Sequence, residues 1–209
     1  MKKFDTFLYF ITDSSGFTDD EILKTTEEAI KGGATIVQLR EKEKTTAKYI
    51  SLAEKMHKIT SKYHIPLIID DRLDVALAVN AEGVHLGQSD MSVSSARRIA
   101  GDSFIIGATA KTVTQAVLAY QQGADYLGVG AIYPTTTKVK TIPTSIDTLT
   151  QICTAVPIPV NAIGGLNAHN LDILKGTGIS GICVVSAIMK SKNPYETSKK
   201  LIEKIKNIL

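Results

Sequence analysis

The chain has 209 residues and a formal charge of +3, from 24 Lys and Arg against 21 Asp and Glu. So small a surplus excludes a dedicated nucleic-acid footprint, and 6 % aromatics with no Trp leave little for base stacking. A hydrophobic fraction of 44 % with 22 % charged residues is that of a globular chain and excludes disorder. Two cysteines, Cys153 and Cys183, cannot build a disulfide framework, and both sit in apolar runs as small hydrophobes. Lys2 and Lys3 are followed by Asp5 and by no long apolar stretch. Neither a signal peptide nor a membrane span is expected, and the cytoplasm is the expected location.

Strand-length apolar runs alternate along the chain with segments of helical spacing. Residues 7–12 read as a strand and 20–31 as a helix; 35–39 and 46–63 repeat the pair. The third and fourth units are 67–69 with 74–79, and 83–86 with 93–100. The second half continues with 104–107 and 113–122, 126–129 and 146–155, 158–162 and 167–175, then 181–185 and 195–208. Buried parallel strands read this way, Val/Ile-rich and without alternation, because helices cover their outer face. Gly-containing helix ends recur before strands, at Lys31-Gly-Gly-Ala, Gln122-Gly-Ala and Lys175-Gly-Thr-Gly, where glycine accepts the left-handed conformation that closes a helix. Eight such units in one chain predict an α/β fold, a (β/α)8 TIM barrel, as a single domain over residues 1–209. The competing open doubly wound sheet needs a G-x-G-x-x-G turn after an early strand, and Asp13-Ser-Ser-Gly-Phe lacks one.

Barrel active sites lie at the C-terminal ends of the strands. The polar clusters fall there: Gln38-Leu-Arg40-Glu-Lys42, Asp70-Asp71-Arg72, His85-Leu-Gly-Gln88-Ser-Asp90, Thr109-Ala-Lys111, Tyr133-Pro-Thr135-Thr-Thr137-Lys138, Asn161-Ala-Ile-Gly164-Gly165 and Val184-Val185-Ser186. Neighbouring strands lie roughly 5 Å apart, so Asp71 and Asp90 can face one cation. Hard oxygen donors in small number suit Mg²⁺, and no His or Cys shows zinc spacing. The other reading is that Asp70, Asp71 and Asp90 cap the helices that follow them. Gln38, Arg40 and Lys42 alternate and project to one side of an extended segment, as a clamp for a diphosphate or as a solvated loop. Gly164-Gly165, with the amides of Val185 and Ser186, would cradle a second phosphate; the other reading is a tight turn. The Thr-rich loop ending in Lys138 is weak evidence alone, and Lys140 reads as solvated. His57 and His64 read as exposed, His169 as the opening of the seventh helix, and His85 as a core histidine or as a donor behind the site.

In their order and spacing these segments, together with Tyr9-Phe-Ile-Thr-Asp13 and Val184-Val-Ser-Ala-Ile188, resemble the thiamine-phosphate synthase (thiamine-phosphate pyrophosphorylase) family over nearly the whole chain. The resemblance implies a transferase that joins 4-amino-2-methyl-5-hydroxymethylpyrimidine diphosphate to a thiazole phosphate, releasing diphosphate with Mg²⁺, plus CO₂ when the thiazole is carboxylated. It implies that Gln38, Arg40, Lys42, Asp70, Thr109 and Lys138 hold the pyrimidine diphosphate, Arg40 and Lys138 acting on the leaving group. Thr135, Thr137, Gly165, Val185 and Ser186 would take the thiazole phosphate, and Asp71 and Asp90 the Mg²⁺. The partners are then small molecules, not nucleic acid or membrane, and a homo-oligomer is compatible with this. Asp70 stands where the family commonly has Asn, Thr109 where it has Ser, and Lys111 where it has His. The same-fold rival is a thiazole tautomerase, which needs neither the pyrimidine nor its metal. A rival of another class is a non-catalytic barrel that binds a phosphorylated ligand.

Overall fold

Every strand of this protein buries both faces, and that decides its architecture. In the computed structural model, which describes residues 4–134 and 143–209, eight parallel strands pair in chain order. They are β1 (Leu8–Ile11), β2 (Ile36–Leu39), β3 (Leu67–Asp70), β4 (Gly83–Leu86), β5 (Ile105–Ala110), β6 (Tyr126–Gly130), β7 (Val160–Ile163) and β8 (Gly181–Val184). The sheet closes on itself where β8 pairs with β1, Leu8 against Ile182 and Phe10 against Val184. This is the expected (β/α)8 TIM barrel.

Successive side chains point to opposite faces of a strand. Leu8, Phe10, Val37, Leu39, Leu67, Ile69, Val84 and Ile106 turn outward into one large apolar cluster beneath the helices. Tyr9, Ile11, Ile36, Ile68, Ile105, Tyr126 and Cys183 turn inward and form a separate cluster that fills the barrel. Toward the C-terminal ends the inward positions become polar, at Gln38, Asp70, His85 and Thr109.

The outer layer begins with α1 (Asp19–Lys31), started by a capping box in which the Glu21 amide donates to Thr18 Oγ1 and Glu21 Oε2 accepts from the Thr18 amide. It continues through α2 (Thr46–Lys62), α3 (Leu73–Ala78), α4 (Val93–Ala100), α5 (Val113–Gln121) and α6 (Ile146–Ala155). After β8 come α7 (Ser186–Met189) and α8 (Pro194–Lys206), and α8 packs against α1 across the barrel closure.

Four local expectations are corrected. The helix expected over 167–175 is a four-residue 3-10 helix, Leu171–Leu174. Asn side chains compete with the helix ladder there: Asn170 Oδ1 accepts from the Asn167 amide at 2.8 Å, and Asn167 Oδ1 from the His169 amide at 2.9 Å. His169 therefore sits in a turn and does not open a helix. Strand β5 runs on to Ala110, so Thr109 lies within the strand. His57 is half-buried against Glu82, its Nε2 3.1 Å from Oε1, while His64 is exposed. Among the described residues no helix is long and apolar enough to cross a membrane.

Candidate active site

The strand ends surround one cavity of about 750 Å³. Gln38, Arg40, Lys42, Asp70, Asp71, Asp90, Thr109, Gly165, Val185 and Ser186 all line it. Of the residues singled out in the sequence, Thr135, Thr137, Lys138 and Lys140 lie outside the described residues. Asn161 does not line the cavity; its buried amide donates to the Thr6 carbonyl oxygen instead.

On one wall, alternation past the end of β2 separates the charges. Arg40 and Lys42 face the cavity, while Glu41 turns away into a buried pairing with Lys44, its Oε2 3.1 Å from Nζ. Lys42 Nζ lies 2.7 Å from Asp70 Oδ2 and also bonds Asp71 Oδ2. Arg40 Nε lies 3.8 Å from Asp70 Oδ2, and its Nη1 3.5 Å from Asp13 Oδ1. Burial lowers the Lys42 pKa, but the charge of Asp70 and the bonds to Asp70 and Asp71 outweigh it and hold the ammonium above its ordinary range. Asp70 is pushed up by burial and by the Asp71 charge, with Lys42 pulling the other way.

Asp71 and Asp90 both line the cavity as neighbours, and each carboxylate shifts the titration of the other. Asp71 reaches that place in the left-handed backbone region, φ +59°, its amide continuing the ladder to the His85 carbonyl at 2.9 Å. Asp90 folds back over its loop, where Oδ2 accepts from the Gly87 amide at 2.7 Å. The helix-cap reading is thereby overturned: the cap positions of α3 and α4 are Arg72 and Ser92, and Ser92 Oγ accepts from the Ser95 amide at 3.2 Å. Burial drives both acids up; in Asp71 the bonds from Lys42 and Asp90 reverse the shift, and in Asp90 the Asp71 neighbour adds to it. Neighbouring carboxylates repel unless a proton or a cation sits with them. Among the described residues no third His, Cys, Asp or Glu joins them as a metal-holding group. Two oxygen donors with open remaining positions fit a hard divalent cation that completes its shell with water and substrate oxygens.

The opposite wall is backbone. Strand β7 stands across the closed barrel from β3, and its end carries Gly164, φ +109°, and Gly165, φ +64°. A Cβ on Gly164 would lie 2.5 Å from Ala131 Cβ, and one on Gly165 2.7 Å from Tyr133 Cβ, so only glycine fits. Among the described residues the amides of Gly164, Gly165 and Val185 find no acceptor. Bare amides lining a hollow suit an anion. Lys111 also lines the cavity and has no carboxylate partner among the described residues.

The chain matches the family model described as thiamine monophosphate synthase over residues 8–188. It belongs to the thiamine monophosphate synthase family. It is 48 % identical over 202 residues to thiamine-phosphate synthase 2 of Streptococcus pneumoniae, covering 97 % of this chain and 96 % of the relative. Thiamine-phosphate synthase of Methanobrevibacter smithii is 45 % identical, with 99 % and 98 % covered. Among solved structures, thiamine phosphate pyrophosphorylase from Pyrococcus furiosus superposes with a TM-score of 0.88 at 36 % identity, covering 97 % and 96 % of the two chains. A 3-hexulose-6-phosphate synthase from Salmonella typhimurium, at 16 % identity and a TM-score of 0.76, shares the fold alone.

Within this family member, the sequence reading missed Tyr126, which is fully buried inside the barrel beside the cavity floor. It read His85 chiefly as a core residue, yet His85 is half-buried and lines the cavity. It named Gln88 among the polar residues after β4 without a role, and Gln88 Nε2 donates to the Thr109 carbonyl at 2.6 Å; it missed Asp13 as a partner of Arg40. The signal for Tyr126 was Gly107 on the adjacent strand, where a Cβ would lie 2.1 Å from the Tyr126 ring.

Proposed function

We propose that this chain is a thiamine-phosphate synthase that joins 4-amino-2-methyl-5-hydroxymethylpyrimidine diphosphate to a thiazole phosphate and releases diphosphate. The observation that carries the reading is the arrangement of the one cavity: a paired-carboxylate and cation wall at β2–β4 faces a glycine-backbone wall at β7 and β8. Two anionic groups can then sit apart across one barrel mouth. The cavity size suits two small substrates held together.

In this reading Asp71 and Asp90 hold Mg²⁺, which when bound neutralises charge on the diphosphate. Lys42 and Arg40 contact the diphosphate oxygens, joined by Lys138. Asp70 keeps both cations aimed inward from one buried oxygen. Gln38 and Thr109 hold the pyrimidine ring. Gly165, Val185 and Ser186 take the thiazole phosphate through backbone amides, and Thr135 and Thr137 contact it as well. The chemistry asks for no side-chain nucleophile. The C–O bond to diphosphate breaks with electron push from the aminopyrimidine, and the thiazole nitrogen supplies the pair for the new C–N bond. The residues named lower the barrier by stabilising the leaving charge and by holding the two reactants in line.

The test is release of diphosphate and formation of thiamine phosphate with both substrates and Mg²⁺ present, omitting each in turn. The synthase needs all three. Thiazole isomerisation without pyrimidine or metal identifies a tautomerase, and ligand binding without turnover identifies a binding barrel.

A further inference from the structure

Beneath the cavity, a line of hydrogen bonds crosses the barrel interior from one wall to another. Gln38 Nε2 lies 2.8 Å from Tyr9 Oη, and Tyr9 Oη 2.7 Å from Tyr126 Oη. Tyr126 Oη is 3.2 Å from His85 Nδ1, and His85 Nε2 is 3.0 Å from Thr109 Oγ1. The residues come from β2, β1, β6, β4 and β5 in that order. Both phenols are fully buried, and burial, the largest cause, pushes their pKa values well above the ordinary range, so both keep their hydrogens.

Each hydroxyl has one hydrogen to give, and that constraint propagates. The Gln38 amide nitrogen only donates. Tyr9 therefore accepts from Gln38 and donates to Tyr126. Tyr126, already accepting from Tyr9, donates to Nδ1 of His85. His85 then carries its hydrogen on Nε2 and donates it to Thr109. At one end the Thr109 hydroxyl hydrogen is left for the cavity. At the other, the Gln38 carbonyl oxygen takes no hydrogen bond from the described residues. Turning the Gln38 amide over reverses every bond in the line and moves the hydrogen to Nδ1. In either sense one end accepts and the other donates, and the two ends change together.

We propose that Tyr9, Tyr126 and His85 are positioning residues that carry this polarity from Gln38 to Thr109, so that the cavity meets an acceptor at Gln38 and a donor at Thr109. This rests on the synthase reading above, and it deepens it. An aminopyrimidine offers the complementary pair, an amino N–H to donate and a ring nitrogen to accept, so the line selects that edge through its two ends. A ring with the two groups exchanged would meet two mismatched ends, each a buried group left unpaired.

The experiment is nitrogen-15 NMR of the full-length chain labelled at histidine, without ligand, with the His85 signals assigned by their loss in His85→Gln. The expected result is a bare Nδ1 and a hydrogen on Nε2, a fixed tautomer that Tyr126→Phe releases to a mixture. Tyr126→Phe keeps the ring that stacks edge-on against Tyr9 and Phe4, at centroid distances of 5.6 and 5.9 Å. Tyr9→Phe breaks the same line one step earlier and serves if Tyr126→Phe does not fold. In steady state both variants are expected to raise KM for the pyrimidine diphosphate about tenfold, the loss of one ordered hydrogen bond, with KM for the thiazole phosphate unchanged. Thr109→Ser is expected to keep the affinity and Thr109→Val to lose it. A hydrogen on His85 Nδ1 in the wild type overturns the proposal, as does a tautomer and pyrimidine KM indifferent to both phenylalanine variants. If the wild type makes no thiamine phosphate, the synthase reading falls, while the His85 tautomer and its response to Tyr126→Phe still decide whether the line has this polarity.

Discussion

Gly165→Ala perturbs the backbone wall and the Tyr133–Pro134 chain packed against it. Its cost follows from two features of the site. At φ +64° an alanine sits in the left-handed region, at about 1–2 kcal/mol. Its Cβ would lie 2.7 Å from Tyr133 Cβ and 2.9 Å from the Pro134 carbonyl oxygen, both backbone-anchored atoms that can yield only by moving the chain. Overpacking of that kind costs about 1–3 kcal/mol. The sum, roughly 2–5 kcal/mol, corresponds in a chain of this size to a Tm lower by roughly 5–15 °C. The displaced amide also loses its bond to a charged phosphate, about 1.5–3 kcal/mol, so kcat/KM for the thiazole phosphate falls by roughly 10–100-fold. KM for the pyrimidine diphosphate changes less, because most of the residues assigned to it stand on β2 to β5, away from β7. Thermal unfolding followed by circular dichroism reads the first effect, and steady-state kinetics with each substrate varied in turn reads the second. An unchanged Tm together with an unchanged KM for the thiazole phosphate would refute the two-wall reasoning.

Arg40→Ala and Lys138→Ala are each expected to lower turnover on the order of 10²–10³-fold with the fold intact, as for other groups that stabilise a leaving charge; wild-type rates in both would remove them from the diphosphate site. Asp71→Asn is expected to raise the half-saturating Mg²⁺ concentration by roughly tenfold or more, read by titrating the metal at saturating substrates; an unchanged titration would place the metal elsewhere. Burial pushes the Cys153 thiol up to about 11, so it stays protonated at pH 8. Its labelling by a disulfide reagent there should run roughly 100-fold slower than that of a free cysteine, and should climb with pH through about 11 as the thiolate forms. Cys183, at the cavity floor with its thiol pushed up further by burial, should label more slowly still.

The helices and strands were legible because their signals are local. Helices α4 and α6 fall where the spacing put them, and the structure adds their Ser92 and Ser145 caps, which act within four residues of chain. The stretch over 167–175 misled because its apolar spacing is helical while Asn167 and Asn170 bind nearby backbone amides instead. Much of the candidate site was legible too, since polar residues at the ends of strands otherwise wholly apolar have few structural reasons to be there. Asp71 and Asp90 were paired by strand adjacency, and both line the cavity. Tyr126 stayed hidden because a tyrosine that opens a strand looks like any other apolar core residue until its hydroxyl is seen to have partners.

From the sequence alone came the eight repeated units, the barrel they imply, and the set of polar residues gathered at its mouth. Those follow from short-range patterns: run length, caps, and where charge interrupts hydrophobicity. Only the tertiary structure decided which residue of each strand faces inward, because with both faces buried the two-residue period leaves no trace in hydrophobicity. It alone also closed β8 onto β1 and brought Gln38, Tyr9, Tyr126, His85 and Thr109 into one line, since residues from five strands become neighbours only when the barrel's register is set.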